Sequence, residues 1–213
     1  MPSPCPPPDQ ENKASCVPPI PVPTYGPGGV FSVICSGTIS APPLTCLEKV
    51  LDLNGYPTWN TFVPSATITS PAPTSNPVTG PEDLRALASK PGYAVPGAKL
   101  QFNVTMTPGG SSRAIALEVT FLEALEASEG NGKGYRVAWK SIGTPTFLLR
   151  TERVQEFIEL LGDDGKVKTQ YTCWETFGGA LGYVMPRAQI EAGFTRWRDG
   201  LKKAVEEETD QLS

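Results

Sequence analysis

The sequence predicts an α+β domain in which a curved antiparallel sheet of about seven strands wraps around one long C-terminal helix. Residues 98–177 alternate apolar and polar side chains in five runs separated by turn residues, which is the pattern of an antiparallel meander. From about Pro186 to Glu208 apolar residues instead recur at steps of three and four, which indicates a helix with one apolar face. The recurring residues are Ile190, Phe194, Trp197, Leu201 and Val205. Such a helix must cover an apolar surface, and the sheet provides one.

The composition excludes several classes of function. The net charge of −4 gives the chain no general attraction to nucleic acid or to an anionic membrane, and no apolar run approaches the ~20 residues of a membrane-spanning helix. The chain contains no histidine, which excludes Ser-His-Asp catalysis and histidine metal sites. We therefore expect neither a metal nor a cofactor. The first residues lack the pattern of a secretory signal, so a cytoplasmic location is the expectation.

The five cysteines show no C-x-x-C spacing, so a zinc site or a thioredoxin-type motif is not indicated. Cys35 and Cys173 lie in strand-like runs and Cys46 in a helix-like run, where buried free thiols are expected. Cys5 and Cys16 lie in a proline-rich region and have the alternative of pairing with each other. The sequence gives no indication of the oligomeric state.

The chain divides into a tail and one domain. Residues 1–27 contain ten prolines and little apolar material, which predicts a flexible, polyproline-like tail. Residues 28–210 form the expected domain, which begins with a strand and a short helix. Within this domain, the proline-, serine- and threonine-rich composition of residues 70–97 predicts an inserted loop that contains a short helix. The loop is either a functional flap or an inert insertion.

Several segments resemble a known superfamily. The matching segments are Ile39–Pro43, Asp52–Val63, Pro96–Leu100, Trp174–Gly179 and Gly193–Lys202. They resemble the strand-to-helix entry, the tyrosine-proline-x-tryptophan-asparagine segment, the third-strand entry, and the closing strand and helix of the SRPBCC or START-like superfamily. Within it, the polyketide cyclase/dehydrase-like branch is the most similar. The resemblance covers roughly residues 28–207.

The resemblance implies the Bet v 1-like helix-grip fold, with an internal cavity between the concave sheet and the final helix. It also implies a function in secondary metabolism, since the chain looks like a polyketide cyclase-like enzyme that performs a cyclisation, dehydration or isomerisation. A hydrophobic or aromatic small molecule is the expected partner. Two alternatives remain: a non-catalytic START-type carrier of lipids or other hydrophobic ligands, and a regulatory module that uses the proline-rich tail.

Nine residues are expected near such a cavity. The candidate catalytic residues are Glu175, Tyr171 and Arg153, and the candidate ligand-binding residues are Trp59, Tyr135, Trp139, Phe177, Tyr183 and Trp197. For each aromatic residue the alternative is ordinary core packing. Glu175 shares strand parity with Tyr171 and Phe177. It either points into the cavity as an acid or base, or lies at a strand end where it pairs with an arginine or faces water.

Two further features leave alternatives open. The strand around Arg153 carries several charges, so either an ion-pair ladder lies on the surface or Arg153 points inward and holds an enolate or a carboxylate. Gly193 and Gly200 weaken the final helix by roughly 1 kcal/mol each. These glycines either allow close packing on the sheet or leave space for a ligand. Pro186 either begins this helix or kinks one that starts near Leu181.

Overall fold

The computed structural model describes residues 13–75, 77–127, 132–162 and 165–211. The strands in these ranges are β1 (Ser15–Val17), β2 (Phe31–Ile39), β3 (Ser65–Ser70), β4 (Lys99–Thr105), β5 (Ser112–Leu125), β6 (Gly134–Ser141), β7 (Arg150–Leu161) and β8 (Val167–Gly178). The helices are α1 (Pro43–Leu51), α2 (Tyr56–Trp59), α3 (Glu82–Ala88) and α4 (Arg187–Gln211). No helix in the described ranges is long and apolar enough to span a membrane.

The described strands form one curved, antiparallel sheet of eight strands in the order β1-β2-β8-β7-β6-β5-β4-β3. Short turns join β4 to β8 in sequence, whereas β2 crosses over to pair with β8. The predicted α+β class and the long covering helix are confirmed. The additional strand is the short β1, which forms within the proline-rich region and pairs with β2.

The final helix begins at Arg187, directly after Pro186. The carbonyl of Pro186 accepts hydrogen bonds from the backbone N–H groups of Gln189 and Ile190, so the proline starts the helix and does not kink it. A short 3₁₀ turn, Ala180–Val184, precedes it. The predicted apolar stripe faces the sheet, since each of its five members is at most 4% exposed.

Two glycines bring α4 close to its neighbours. A Cβ atom on Gly193 would lie 2.3 Å from the ring of Phe62, and one on Gly200 would lie 2.5 Å from the carbonyl oxygen of Trp59. Real Cβ atoms do not approach other atoms so closely, so both positions require glycine. The structure therefore favours close packing over space for a ligand as the reason for these residues.

Residues 18–27, which we call the N-terminal strap, follow β1 and lie across the outer face of the sheet. Val22 is 1% exposed and packs in a cluster with Val154 and Trp174 on that face. The indole N–H of Trp174 donates to the carbonyl of Pro21, at 3.4 Å. The expected flexible tail therefore differs from the structure over this segment, because apolar contacts hold the proline-rich chain in place. Residues 1–12, which include Cys5, lie outside the described ranges.

The strap also buries a carboxylate. Glu152 has no exposed surface, and its oxygens accept hydrogen bonds from the backbone N–H and the hydroxyl of Thr24, at 2.7 and 2.8 Å. A third hydrogen bond comes from the hydroxyl of Thr120, at 2.8 Å. A buried carboxylate needs such donors, so the strap both creates the burial of Glu152 and compensates for it. β7 is consequently covered on both faces.

The insertion of residues 70–97 packs at the end of the sheet beside α1. Leu84 and Leu87 of α3 are buried, and the N–H of Ala94 donates to the carbonyl of Leu51, at 2.9 Å. Tyr135 of β6 donates its hydroxyl to Asp83 of the insertion, at 2.6 Å. These contacts anchor α3 and the segment around Ala94 to the core, while most other described residues of the insertion are exposed or half-buried.

We expect Gly193→Ala to lower the free energy of unfolding by about 1–3 kcal/mol, because the new methyl group would overlap the ring of Phe62. Helix propensity alone predicts the opposite sign, a gain of roughly 1 kcal/mol. Urea unfolding followed by circular dichroism measures the difference. A more stable variant would show that α4 does not lie against Phe62.

Candidate functional site

A cavity lies between the concave face of the sheet and α4, at the end of the sheet where α4 begins. Its volume is about 140 Å³. Side chains from the loop before β3, from β4 to β8 and from α4 form its wall. They are Phe62, Val63, Phe102, Val104, Met106, Ile115, Leu117, Trp139, Ser141, Leu149, Thr151, Arg153, Glu175, Phe177, Met185, Ile190 and Phe194. The wall is therefore mainly apolar, with a small polar group on β7 and β8.

The polar side chains of the cavity wall lie close together because β7 pairs with β8. Arg153 lies directly opposite Glu175, and Thr151 lies opposite Phe177, so all four share the concave face. Arg153 and Glu175 are the two ionisable residues of the wall. The hydroxyl of Ser141 approaches them from β6, where it accepts a hydrogen bond from the N–H of Thr151, at 3.1 Å.

Arg153 is a buried cation in an aromatic environment. It is 6% exposed, and its Nε donates to Oε2 of Glu175, at 3.1 Å. Its guanidinium carbon lies 4.1 Å from the ring centre of Phe194 and 5.1 Å from that of Trp197. Burial acts to lower the pKa of Arg153, but the charge and hydrogen bond of Glu175, together with Cys173 and Tyr171, outweigh it, and the pKa lies above its usual value.

The ion pair leaves several polar atoms unused. Arg153 uses Nε for Glu175, and its two terminal amino groups have no hydrogen-bond partner in the described part of the chain. Glu175 likewise accepts through Oε2, while its Oε1 has no partner among the same residues. Since both residues line the cavity, a ligand there meets free N–H donors beside a free carboxylate oxygen.

Tyr171 lies deeper than this pair and does not line the cavity. Its hydroxyl donates to Oε1 of Gln155, at 2.6 Å, and the indole N–H of Trp197 donates to the same oxygen, at 3.1 Å. Tyr171 has no exposed surface, and burial, together with the neighbouring Cys173, raises its pKa well above the usual value. Tyr171 therefore does not face the cavity that Glu175 and Arg153 line.

Two of the six aromatic residues that were predicted to bind the ligand line the cavity, and four do not. Trp139 and Phe177 line the cavity. Trp59 and Trp197 pack edge to face against each other, at 5.4 Å between ring centres, outside the cavity wall. Tyr135 is bound to Asp83 at the far end of the sheet, and Tyr183 is 75% exposed on the 3₁₀ turn.

Sequence reasoning missed several residues of this region. Phe62, Phe102 and Phe194 line the cavity, although only their burial was expected. Phe194 carried a signal, since it precedes the candidate Trp197 by one turn on the same face of the helix. Gln155 is buried with its Nε2 unpaired in the described residues, and its strand parity with Arg153 was the available signal. No described residue of 70–97 lines the cavity.

The thiols do not form a metal site. Cys35 and Cys173 face each other across β2 and β8, both are buried, and both are free, as are Cys46 and the half-buried Cys16. Within the described ranges, no group of three or more acidic or thiol side chains lies close enough to hold a metal ion.

The fold is shared with solved structures that include an aromatase/cyclase. The chain is similar in structure to the Zhui aromatase/cyclase of Streptomyces sp. R1128, with a TM-score of 0.51 over 82% of this chain and 93% of that one, at 13% identity. A protein of Thermus thermophilus gives a TM-score of 0.50 over 82% of this chain and 96% of that one, at 14% identity. The predicted helix-grip fold is thereby confirmed.

The sequence itself defines a closer relationship. The chain is 30% identical over 167 residues to the oxopyrrolidines biosynthesis cluster protein O of Penicillium oxalicum (strain 114-2 / CGMCC 5302), which covers 73% of this chain and 75% of that protein. The chain therefore belongs to the family of this biosynthesis-cluster protein. No protein-family model matches the chain.

We expect Glu175→Gln to lower the free energy of unfolding by roughly 2–4 kcal/mol, because it leaves the buried Arg153 without its counter-charge. The matched control is Glu207→Gln, which removes the partner of Lys203 in a pair whose side chains are 62% and 75% exposed. That change should cost less than about 0.5 kcal/mol. Equal losses in the two variants, measured by urea unfolding, would contradict an enclosed ion pair.

Proposed function

We propose that the protein binds a small apolar or aromatic molecule with one oxygen-bearing end, and that it is a polyketide cyclase-like enzyme of secondary metabolism. The observation that carries the proposal is the Arg153–Glu175 pair in the wall of an otherwise mainly apolar cavity. An apolar wall selects an apolar body, and a few convergent polar groups orient it. The family relationship to a protein of a biosynthesis cluster supports the metabolic context.

The polar atoms suggest what the oxygen-bearing end looks like. The terminal amino groups of Arg153 donate hydrogen bonds, so they favour a carbonyl, enolate or carboxylate oxygen. Oxygen Oε1 of Glu175 accepts, so it favours an adjacent acidic C–H or O–H group. A carbonyl group beside an acidic carbon satisfies both requirements at once. Dicarbonyl units of this kind are the reactive parts of polyketide chains.

The size of the cavity limits the ligand. A volume of about 140 Å³ is below the range of roughly 300–1,000 Å³ that is typical of pockets for drug-sized ligands. An apolar cavity of about 150 Å³ accommodates benzene. One ring or a short chain therefore fits inside, and the remainder of a larger ligand extends through the entrance beside Ile115, Leu149 and Met185.

The same groups support an acid–base reaction. Oε1 of Glu175 takes a proton from the carbon next to the ligand carbonyl, and the electron pair of that C–H bond moves to the carbonyl oxygen. Arg153 stabilises the enolate oxygen through its terminal N–H groups. The enolate carbon then attacks a second carbonyl of the same molecule, and the proton returns from Glu175 to the new alkoxide. The cavity contributes by holding the two carbons together.

The carrier is the second candidate, because most of the cavity wall is apolar. A START-type carrier needs the same cavity and uses Arg153 only to hold the polar end of its cargo. The two candidates agree on binding and differ on proton transfer from the ligand to Glu175.

We expect 2-naphthoate to bind more tightly than 2-methylnaphthalene, which has the same rings without the carboxylate. Arg153→Met should weaken the binding of naphthoate by about tenfold or more and leave that of methylnaphthalene nearly unchanged, because only the carboxylate contacts the guanidinium. Titration calorimetry measures both ligands. Equal losses for both ligands, or binding of neither ligand to the wild-type protein, would contradict the proposed site.

We expect the protein to accelerate exchange of the acidic hydrogens of ethyl benzoylacetate in deuterated buffer, followed by NMR. Glu175→Gln should abolish the acceleration, because an amide does not accept the proton. Naphthoate should still bind, and more tightly than to the wild type, because its carboxylate supplies the counter-charge that Arg153 has lost. Arg113→Gln, on an exposed side chain outside the cavity, is the control and should exchange like the wild type. Naphthoate binding without any exchange above the buffer rate would establish the carrier instead.

A further inference from the structure

Six large apolar side chains are exposed in one region of the surface, which we call the mouth patch. They are Ile115 (39% exposed), Phe147 (71%), Leu148 (36%), Leu181 (42%), Tyr183 (75%) and Val184 (75%). Most of them lie on the loop between β6 and β7 and on the 3₁₀ turn after β8. The N–H groups of Ala180 and Leu181 donate to the carbonyls of Phe147 and Leu148, at 2.9 and 2.8 Å, so the two loops form one ordered surface.

The mouth patch surrounds the entrance of the cavity. Ile115 belongs to both, since it lines the cavity and is exposed. Leu149 and Met185 line the cavity and directly follow Leu148 and Val184 in the chain. Exposed apolar clusters on soluble proteins mark surfaces that bind something else. An apolar ligand that enters the cavity passes this surface.

The charge of this region differs from that of the rest of the chain. Residues 106–115, 141–151 and 176–190 contain the patch and its supports, and they carry three arginines and no acidic residue, although the whole chain has a net charge of −4. The arginines are Arg113, Arg150 and Arg187. At the opposite end of α4, Glu206 and Glu208 bind the N–H of Ser40 and the amine of Lys49. Arg150 points to the outer face, where its guanidinium carbon lies 5.8 Å from the ring centre of Tyr25. The region around the mouth is therefore apolar, with Arg113 and Arg187 as its basic side chains and Glu191 one turn after Arg187.

The apolar and basic side chains together indicate which kind of partner the mouth patch binds. A two-fold contact between identical copies brings the same arginines against each other, which is unfavourable. An anionic lipid surface satisfies both properties, because its acyl layer accepts apolar side chains while its headgroups accept arginines. It also gives an apolar ligand a path into the cavity that does not cross water.

We infer that the mouth patch docks the protein on an anionic lipid surface. Phe147, Tyr183 and Val184 enter the boundary of the acyl layer, and the nearby arginines contact lipid phosphates and carboxylates. The protein thereby takes up or releases its ligand at a membrane. Binding to lipid in this way requires no ligand in the cavity, so the inference stands apart from the proposed reaction.

Flotation with vesicles of phosphatidylcholine and about 30% phosphatidylserine tests the inference. The wild-type protein should float with these vesicles, and less with vesicles of phosphatidylcholine alone or at high salt. The double variant Phe147→Ser, Val184→Ser should bind about tenfold more weakly, because it removes two inserted apolar side chains. Arg113→Glu should bind about fivefold more weakly or worse, because it reverses one charge at the headgroups.

The matched control is the double variant Leu161→Ser, Val167→Ser. These residues are 77% and 38% exposed, and they pair at the opposite end of β7 and β8. The control should bind vesicles like the wild type, and circular dichroism should show that all variants are folded. No binding of the wild type to anionic vesicles, or equal losses in both double variants, would overturn the inference. It would also be overturned if the patch variants abolished self-association in sedimentation experiments and left vesicle binding unchanged.

Discussion

The pairing of Arg153 with Glu175 across β7 and β8 is the interaction on which the interior of this protein depends. The guanidinium of Arg153 and the carboxylate of Glu175 form an ion pair on the concave face of the sheet, and the surrounding side chains pack around this pair. Phe194 and Trp197 on α4 cover the guanidinium with their rings. Because Glu175 uses one oxygen and Arg153 one nitrogen, the pair is satisfied electrostatically and still keeps donors and an acceptor for a ligand.

The central strands β7 and β8 are buried on both faces for most of their length. The concave face carries the cavity and the covering helix, whereas the N-terminal strap covers the convex face around Glu152. This second layer fixes the outward side chains of β7, and hence the inward position of Arg153 on the same strand. Gly193 lets Phe62 lie against α4, where it joins the wall of the cavity. The helix α4, the N-terminal strap and Phe62 therefore each constrain the packing around the site.

Regular patterns in the sequence predicted the parts of the fold that repeat. The alternation of β4 to β8 and the stripe of α4 predicted the sheet and its covering helix. Strand parity predicted that Glu175 shares a side with Tyr171 and Phe177, and it left open whether that side faces the cavity. The strap was missed because proline-rich composition reports the lack of regular structure, not the lack of contacts. The direction of Arg153 was left open because β7 carries charges on both faces. Whether Tyr171 lines the cavity or lies in the core beneath it depends on how β8 pairs with its neighbouring strands. The sequence of β8 alone does not reveal this register.

A crystal structure with 2-naphthoate would locate the polar end of a ligand relative to the ion pair. We expect the ring that bears the carboxylate to lie between Phe102 and Phe194, with a carboxylate oxygen within hydrogen-bond distance of a terminal amino group of Arg153. A ligand bound elsewhere, or one that turns its rings toward Arg153 and its carboxylate toward solvent, would contradict this expectation.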